Sequence, residues 1–142
     1  LAVGTRREEP EVTKSNGLSH IAMSVAEGTL SDEYRAELLG FYGDYFGWSE
    51  IEELRLPDRL TLSVGGRCYV NIRERPESMV CLGYEHFGLL VGSPEEAEAL
   101  WTRLGGEPRD VHLEPMQSGD RGFRSFRFRY LMPLAVEVQF LP

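Results

Sequence analysis

Leu18-Ser19-His20-Ile21-Ala22-Met23-Ser24-Val25 and Tyr84-Glu85-His86-Phe87-Gly88-Leu89-Leu90-Val91 are two versions of one strand pattern, and they decide the fold. In each, a histidine stands third at the start of an apolar run, and a polar break and a helix-like segment follow. Self-similarity at this interval marks an internal duplication, which must be settled before any other assignment of architecture. Two matched histidines in matched halves point to a shared site where the halves meet.

The segments after each copy run in the same order. In the first half, Ser31 caps a helix beginning at Asp32. Tyr34, Leu38, Phe41, Tyr42 and Tyr45 recur at helical spacing along it, and Gly47 supplies its left-handed exit. Strands are predicted over Ser49–Leu54, Arg59–Val64 and Arg67–Arg73, with turns at Pro57-Asp58 and Gly65-Gly66. In the second half, Ser93-Pro94-Glu95-Glu96 combines a cap, a first-turn proline and a capping box. Ala97, Leu100, Trp101 and Leu104 form the apolar stripe, and Gly105-Gly106 ends the helix. Strands are predicted over Asp110–Glu114, Arg124–Tyr130 and Leu134–Phe140. The expected fold is therefore α+β: two tandem βαβββ modules forming a curved mixed sheet around a central cleft, with the helices outside. Module one covers residues 17–74, the linker 75–82 and module two 83–142, after a flexible N-terminal arm over 1–16.

Period-two alternation decides what faces the cleft. Cys68, Val70 and Ile72 face the helix, so Tyr69, Asn71 and Arg73 face the cleft. Glu137 stands on the opposite side of its strand from Val136 and Val138, and an unpaired buried carboxylate is costly. It follows His86 by 51 positions, the same interval by which Asn71 follows His20. Four equivalent positions emerge: His20, Asn71, His86 and Glu137. Two imidazoles and a carboxylate suit a divalent first-row metal and leave positions open for substrate or water. The alternatives are hydrogen-bonded core histidines and a Glu137 paired with Arg127 or Arg129. Those arginines alternate with Phe126, Phe128 and Tyr130; they form either an anion-binding wall or a charged edge strand. His112 is either a proton carrier near the cleft or a surface histidine.

The totals narrow the partners. The chain has 142 residues, 42% of them apolar, and a formal charge of −8. It is one domain with a real core. The acidic balance argues against nucleic acid or an anionic membrane surface. No apolar run is long enough to span a bilayer, and the first residues lack a secretory apolar stretch. Cys68 and Cys81 show no disulfide or zinc-knuckle spacing, which suits a reducing cytoplasm.

These features resemble the vicinal oxygen chelate superfamily, which comprises the glyoxalase, bleomycin-resistance and extradiol dioxygenase proteins. The similarity spans roughly residues 17–142 and rests on the two histidine strands, Phe41-Tyr42-Gly43-Asp44-Tyr45-Phe46-Gly47-Trp48 and Leu134-Ala135-Val136-Glu137-Val138. It implies paired βαβββ modules, a cleft metal (Mn, Fe, Ni or Zn) held by His20, His86 and Glu137, and a homodimer, in some members with the site built across subunits. Asn71 occupies the place where glyoxalase I-type members carry a fourth, usually acidic ligand. The remaining set is closer to fosfomycin-resistance enzymes and extradiol dioxygenases. The expected function is a small metal-dependent lyase, isomerase, thiol transferase or ring-cleaving dioxygenase chelating an oxygen-bearing, anionic substrate. Arg127 and Arg129 would hold substrate charge; Tyr69, Asn71 and His112 would assist with hydrogen bonds or protons. The rival expectation is a metal-free, bleomycin-resistance-like protein that sequesters a small molecule.

Overall fold

A computed structural model of the chain describes residue 4 and residues 9–142. Of the arm expected over 1–16, residues 1–3 and 5–8 lie outside the described residues. Residues 9–16 are exposed and take no helix or strand.

The duplication is visible in the topology. Module one holds β1 (His20–Ala26), α1 (Asp32–Phe46), β2 (Ser49–Glu50), β3 (Arg59–Ser63) and β4 (Tyr69–Arg75). Module two holds β5 (His86–Leu90), α2 (Pro94–Gly105), β6 (His112–Leu113), β7 (Gln117–Ser118), β8 (Arg124–Arg129) and β9 (Ala135–Phe140). Sheet A has the order β1-β4-β3-β2 and sheet B the order β5-β9-β8-β6, with β7 added beside β8. In each sheet the first strand runs parallel to the last, which is antiparallel to its other neighbour. The registers also agree: Ala22 lies opposite Asn71, and Gly88 opposite Glu137. Asn71 and Glu137 are thus structurally equivalent, as their matching intervals predict.

Local chemistry fixes both helices. The Ser31 hydroxyl accepts from the Tyr34 amide at 3.2 Å, and Gly47 closes α1 at φ 69°. Ser93 accepts from Glu96 N at 3.1 Å, while the Glu96 carboxylate reaches Gly92 N at 2.7 Å, one residue earlier than a standard capping box requires. Two strands are shorter than the sequence suggests. β2 stops at Glu50 because the chain then winds through a 3-10 turn, Glu52–Leu54. That path brings the carbonyls of Leu56 and Pro57 to the buried Arg35 guanidinium, which also donates to Leu30 and Arg59 carbonyls. A buried cation requires such acceptors, and this need overrides the strand pattern. The segment expected over Asp110–Glu114 pairs only at His112–Leu113.

The helix-facing sides of both sheets feed one core. Leu60, Leu62, Val70 and Ile72 of sheet A join Phe126, Phe128, Val136 and Val138 of sheet B in the same cluster. Each such side chain contributes about 1.5–3 kcal/mol on burial. α1 ties the modules together: the Tyr42 hydroxyl donates to the Tyr130 carbonyl at 2.8 Å, and Phe41 meets the Tyr130 ring at 4.4 Å. The opposite, polar faces of the sheets therefore point away from this core. Cys68 and Cys81 are unpaired and half-buried. Among the described residues no helix is long and apolar enough to cross a membrane.

Candidate metal and substrate site

On the polar face of sheet B, alternation brings His86, Glu137, Arg127, Arg129 and His112 together across four strands. Glu137 lies opposite both Gly88 and Arg127, and His112 opposite Arg129. The Glu137 carboxylate is 3.3 Å from His86 Nε2. It also accepts from the Ser125 hydroxyl at 3.0 Å and from the Gln139 amide at 3.2 Å. The His86 Nδ1 bonds the Tyr84 carbonyl. A carbonyl only accepts, so Nδ1 carries hydrogen, and in the neutral ring the lone pair lies on Nε2, toward Glu137.

This pair meets the requirements of a metal half-site. Two donors bonded to one divalent ion at about 2.0–2.2 Å stand roughly 3.0–3.5 Å apart. A ring nitrogen fixed by a backbone carbonyl, and a carboxylate held by neighbouring donors, are the usual outer supports of such ligands. His20 stands elsewhere, exposed at the start of sheet A. Its ring stacks on Tyr69 with centroids 4.7 Å apart, and its Nδ1 lies 2.8 Å from the Ser19 hydroxyl. Among the described residues no three His, Cys, Asp or Glu side chains gather closely enough to hold a metal ion. The chain thus brings His86 and Glu137 together and leaves His20 apart.

The two arginines differ in their availability. Arg127 donates to the Glu114 carboxylate at 2.7 Å and not to Glu137. Arg129 makes no ion pair among the described residues, and its Nε is buried without a partner. His112 is exposed on the short strand beside it. Asn71, on the polar face of sheet A, keeps its Oδ1 buried and without a partner among the described residues. Ser125, Gln139 and Glu114 were not singled out from the sequence, although alternation puts Ser125 and Gln139 on the same face as Glu137.

The fold itself has close counterparts. FosX, a fosfomycin resistance protein from Listeria monocytogenes, superposes with a TM-score of 0.65 at 19% identity, over 91% of this chain and 96% of that one. Lactoylglutathione lyase from Agrobacterium tumefaciens gives 0.65 at 19% identity, over 90% and 96%. The chain has the vicinal oxygen chelate fold. FosX from Mesorhizobium loti matches that fold too, with a TM-score of 0.63 at 16% identity over 91% of this chain and 95% of that one. No family model matches the sequence, and no curated protein matches it. The vicinal oxygen chelate architecture is therefore carried here by a sequence far from its structural counterparts.

Proposed function

We propose that the protein is a divalent-metal-dependent enzyme acting on an oxygen-bearing, anionic small molecule. His86 and Glu137 of one chain and His20 of a second copy would hold the metal. The observation that carries this reading is the fixed His86–Glu137 pair, 3.3 Å apart, with the matching histidine exposed on the other module. Large apolar side chains flanking the two histidines are open to a partner: Leu18 is 79% exposed, Leu82 89% and Tyr84 77%. Exposed apolar side chains beside each histidine support a partner surface there. Among the solved structures of the same fold, FosX from Listeria monocytogenes has been determined with Mn(II) and sulfate.

When bound, the ion supplies Lewis-acid stabilisation of negative charge on substrate oxygen. The chain's own groups do the rest. Ser125 and Gln139 keep the Glu137 carboxylate aimed at His86. Arg129, without an ion pair among the described residues, holds substrate charge, whereas Arg127 is committed to Glu114. Tyr69 and Asn71 offer hydrogen bonds from the facing sheet of the second copy. His112 stands where it can exchange a proton with solvent.

The test is complementation between metal-free variants. His20→Ala and His86→Ala should each load little Mn(II) alone. Refolded together, they should regain one intact site in each mixed dimer, read by metal content after gel filtration. A parent protein that is monomeric and binds none of Mn(II), Fe(II), Ni(II) or Zn(II) would overturn the proposal. It would favour the metal-free binding protein instead.

A further inference from the structure

Arg127 stands between two acids on neighbouring strands. On one side, β8 pairs with β9 and sets Arg127 directly opposite Glu137. On the other, β8 pairs with β6, which opposes His112 to Arg129 and Leu113 to Phe128. One step further along, the Glu114 amide donates to the Arg127 carbonyl at 2.9 Å, so Glu114 is the cross-strand neighbour there. Opposite charges in that relation attract, and either carboxylate is placed to take the guanidinium. Glu114 takes it. Arg127 Nε donates to the Glu114 carboxylate at 2.7 Å, and among the described residues Arg127 forms no ion pair with Glu137.

Two features decide the partner. The Glu137 carboxylate already accepts from Ser125 and Gln139, so it has less need of a further donor. The Glu114 carboxylate accepts from no other side chain among the described residues. Its backbone is also fixed, because Trp101 Nε1 of α2 donates to the Glu114 carbonyl at 3.0 Å. Protection of a sheet edge does not explain Arg127, since β8 is an inner strand.

The duplicate module provides the control. Asn71 lies opposite Thr61 as Glu137 lies opposite Arg127. The Ile51 amide donates to the Thr61 carbonyl at 2.8 Å, just as Glu114 does to Arg127. The row Ile51, Thr61, Asn71 in module one therefore matches the row Glu114, Arg127, Glu137 in module two. The first row is uncharged throughout. The cation and the second acid occur in the copy that pairs His86 with Glu137.

We infer that Glu114 is a positioning residue: it holds the Arg127 guanidinium away from Glu137 and so keeps that carboxylate open to a divalent cation. Without Glu114, Arg127 would turn to Glu137, bond its oxygens and repel an incoming ion from the same place. The inference rests on the metal reading proposed above and adds to it a residue that binds no ion itself.

Two measurements on the full chain test it. In the metal-free protein, the Arg127 Nε–H resonance, assigned by its loss in Arg127→Gln, should shift in Glu114→Gln and hold its place in Glu137→Gln. Once Glu114→Gln is present, adding Glu137→Gln should shift it again. Mn(II) affinity, read by competition with a metal-sensitive dye, should fall about tenfold in Glu114→Gln. Adding Arg127→Gln to that variant should restore the parent affinity, whereas Arg127→Gln alone should stay close to it. A simple field effect of the two charges would instead move the single variants in opposite directions by equal factors. Such additive shifts, parent affinity in Glu114→Gln, or a resonance that follows Glu137 in the parent would each overturn this inference alone. A parent that binds no Mn(II) would overturn the metal reading and this inference with it.

Discussion

Glu107 should fasten the two modules through a carboxylate that stays ionised far into acid. It lies just after α2 and accepts from the Tyr45 hydroxyl of α1 at 2.6 Å. It also accepts from Arg109 Nε at 2.7 Å and from the Arg109 amide at 3.0 Å. Hydrogen bonding from the Arg109 guanidinium, then from Tyr45, holds its pKa at about 2, against 4.5 for an unperturbed glutamate. At about 1.4 kcal/mol per pKa unit the ceiling on its contribution is about 3.5 kcal/mol. The Arg109 side chain is 33% exposed, and solvent screens the pair. A stabilisation of about 1–2 kcal/mol is therefore expected. The folded-state pKa is depressed, so the stabilisation is complete above about 4.5 and fades as pH falls toward 2. Glu107→Gln should unfold about 1–2 kcal/mol more easily at pH 7, and the gap should narrow steadily below pH 4.5. Urea unfolding can be followed by circular dichroism and by tryptophan fluorescence, with Trp48 in module one and Trp101 in module two. Other carboxylates titrate in both proteins and largely cancel in the difference. A gap that stays constant from pH 7 to pH 3, or no gap at pH 7, would refute the ionic clasp.

Three further outcomes are expected. Gly122 lies at φ 86°, and a Cβ there would come within 2.9 Å of Pro94 Cγ. Gly122→Ala should cost about 1–3 kcal/mol in chemical denaturation, and an unshifted midpoint would contradict the clash. Tyr42→Phe removes one of the two donors to the Tyr130 carbonyl, which keeps the Met132 amide at 2.7 Å, and should cost about 0.5–1.5 kcal/mol; full retention of stability would show that the second donor suffices. Ser125→Ala and Gln139→Ala should each lower metal affinity about 10–100-fold by loosening Glu137, measured by competition with a metal-sensitive dye. Parent-like affinity in both variants would remove Glu137 from the ligand set.

Much of the fold was legible because its determinants are local or periodic. Ser31, Ser93 and Gly47 act within one helical turn, and alternation along Arg124–Tyr130 and Leu134–Phe140 assigns each residue a face. The equal intervals from His20 to Asn71 and from His86 to Glu137 reflect equal strand registers in the two sheets. What the sequence concealed depends on distant partners. β2 is cut short by the acceptors that Arg35 gathers from Leu30, Leu56, Pro57 and Arg59. The separation of His20 from His86 follows from module docking. Aromatic contacts of α1 with Phe128 and Tyr130 set that docking, and no periodicity within either module encodes it. Arg127 is a subtler case: its facing was predictable, but its capture by Glu114 required knowing where the chain runs after β6.

The difference between Asn71 and Glu137 sets the two copies of one duplicated scaffold apart in charge. A carboxylate beside His86 makes sheet B attractive to a cation, and Ser125 and Gln139 spend their donors on holding it. Replacing the equivalent carboxylate with an amide removes a negative charge from sheet A, where Arg73 and Arg75 already oppose one another and Arg59. An acid at position 71 would neutralise part of that field and supply a further metal donor. Asn71→Asp should therefore move sheet A toward sheet B in character and strengthen divalent-metal retention. Competition with a metal-sensitive dye should show a tighter complex in the variant than in the parent, which would tie metal retention to the charge at this position. An unchanged or weaker complex would show that position 71 does not face the metal.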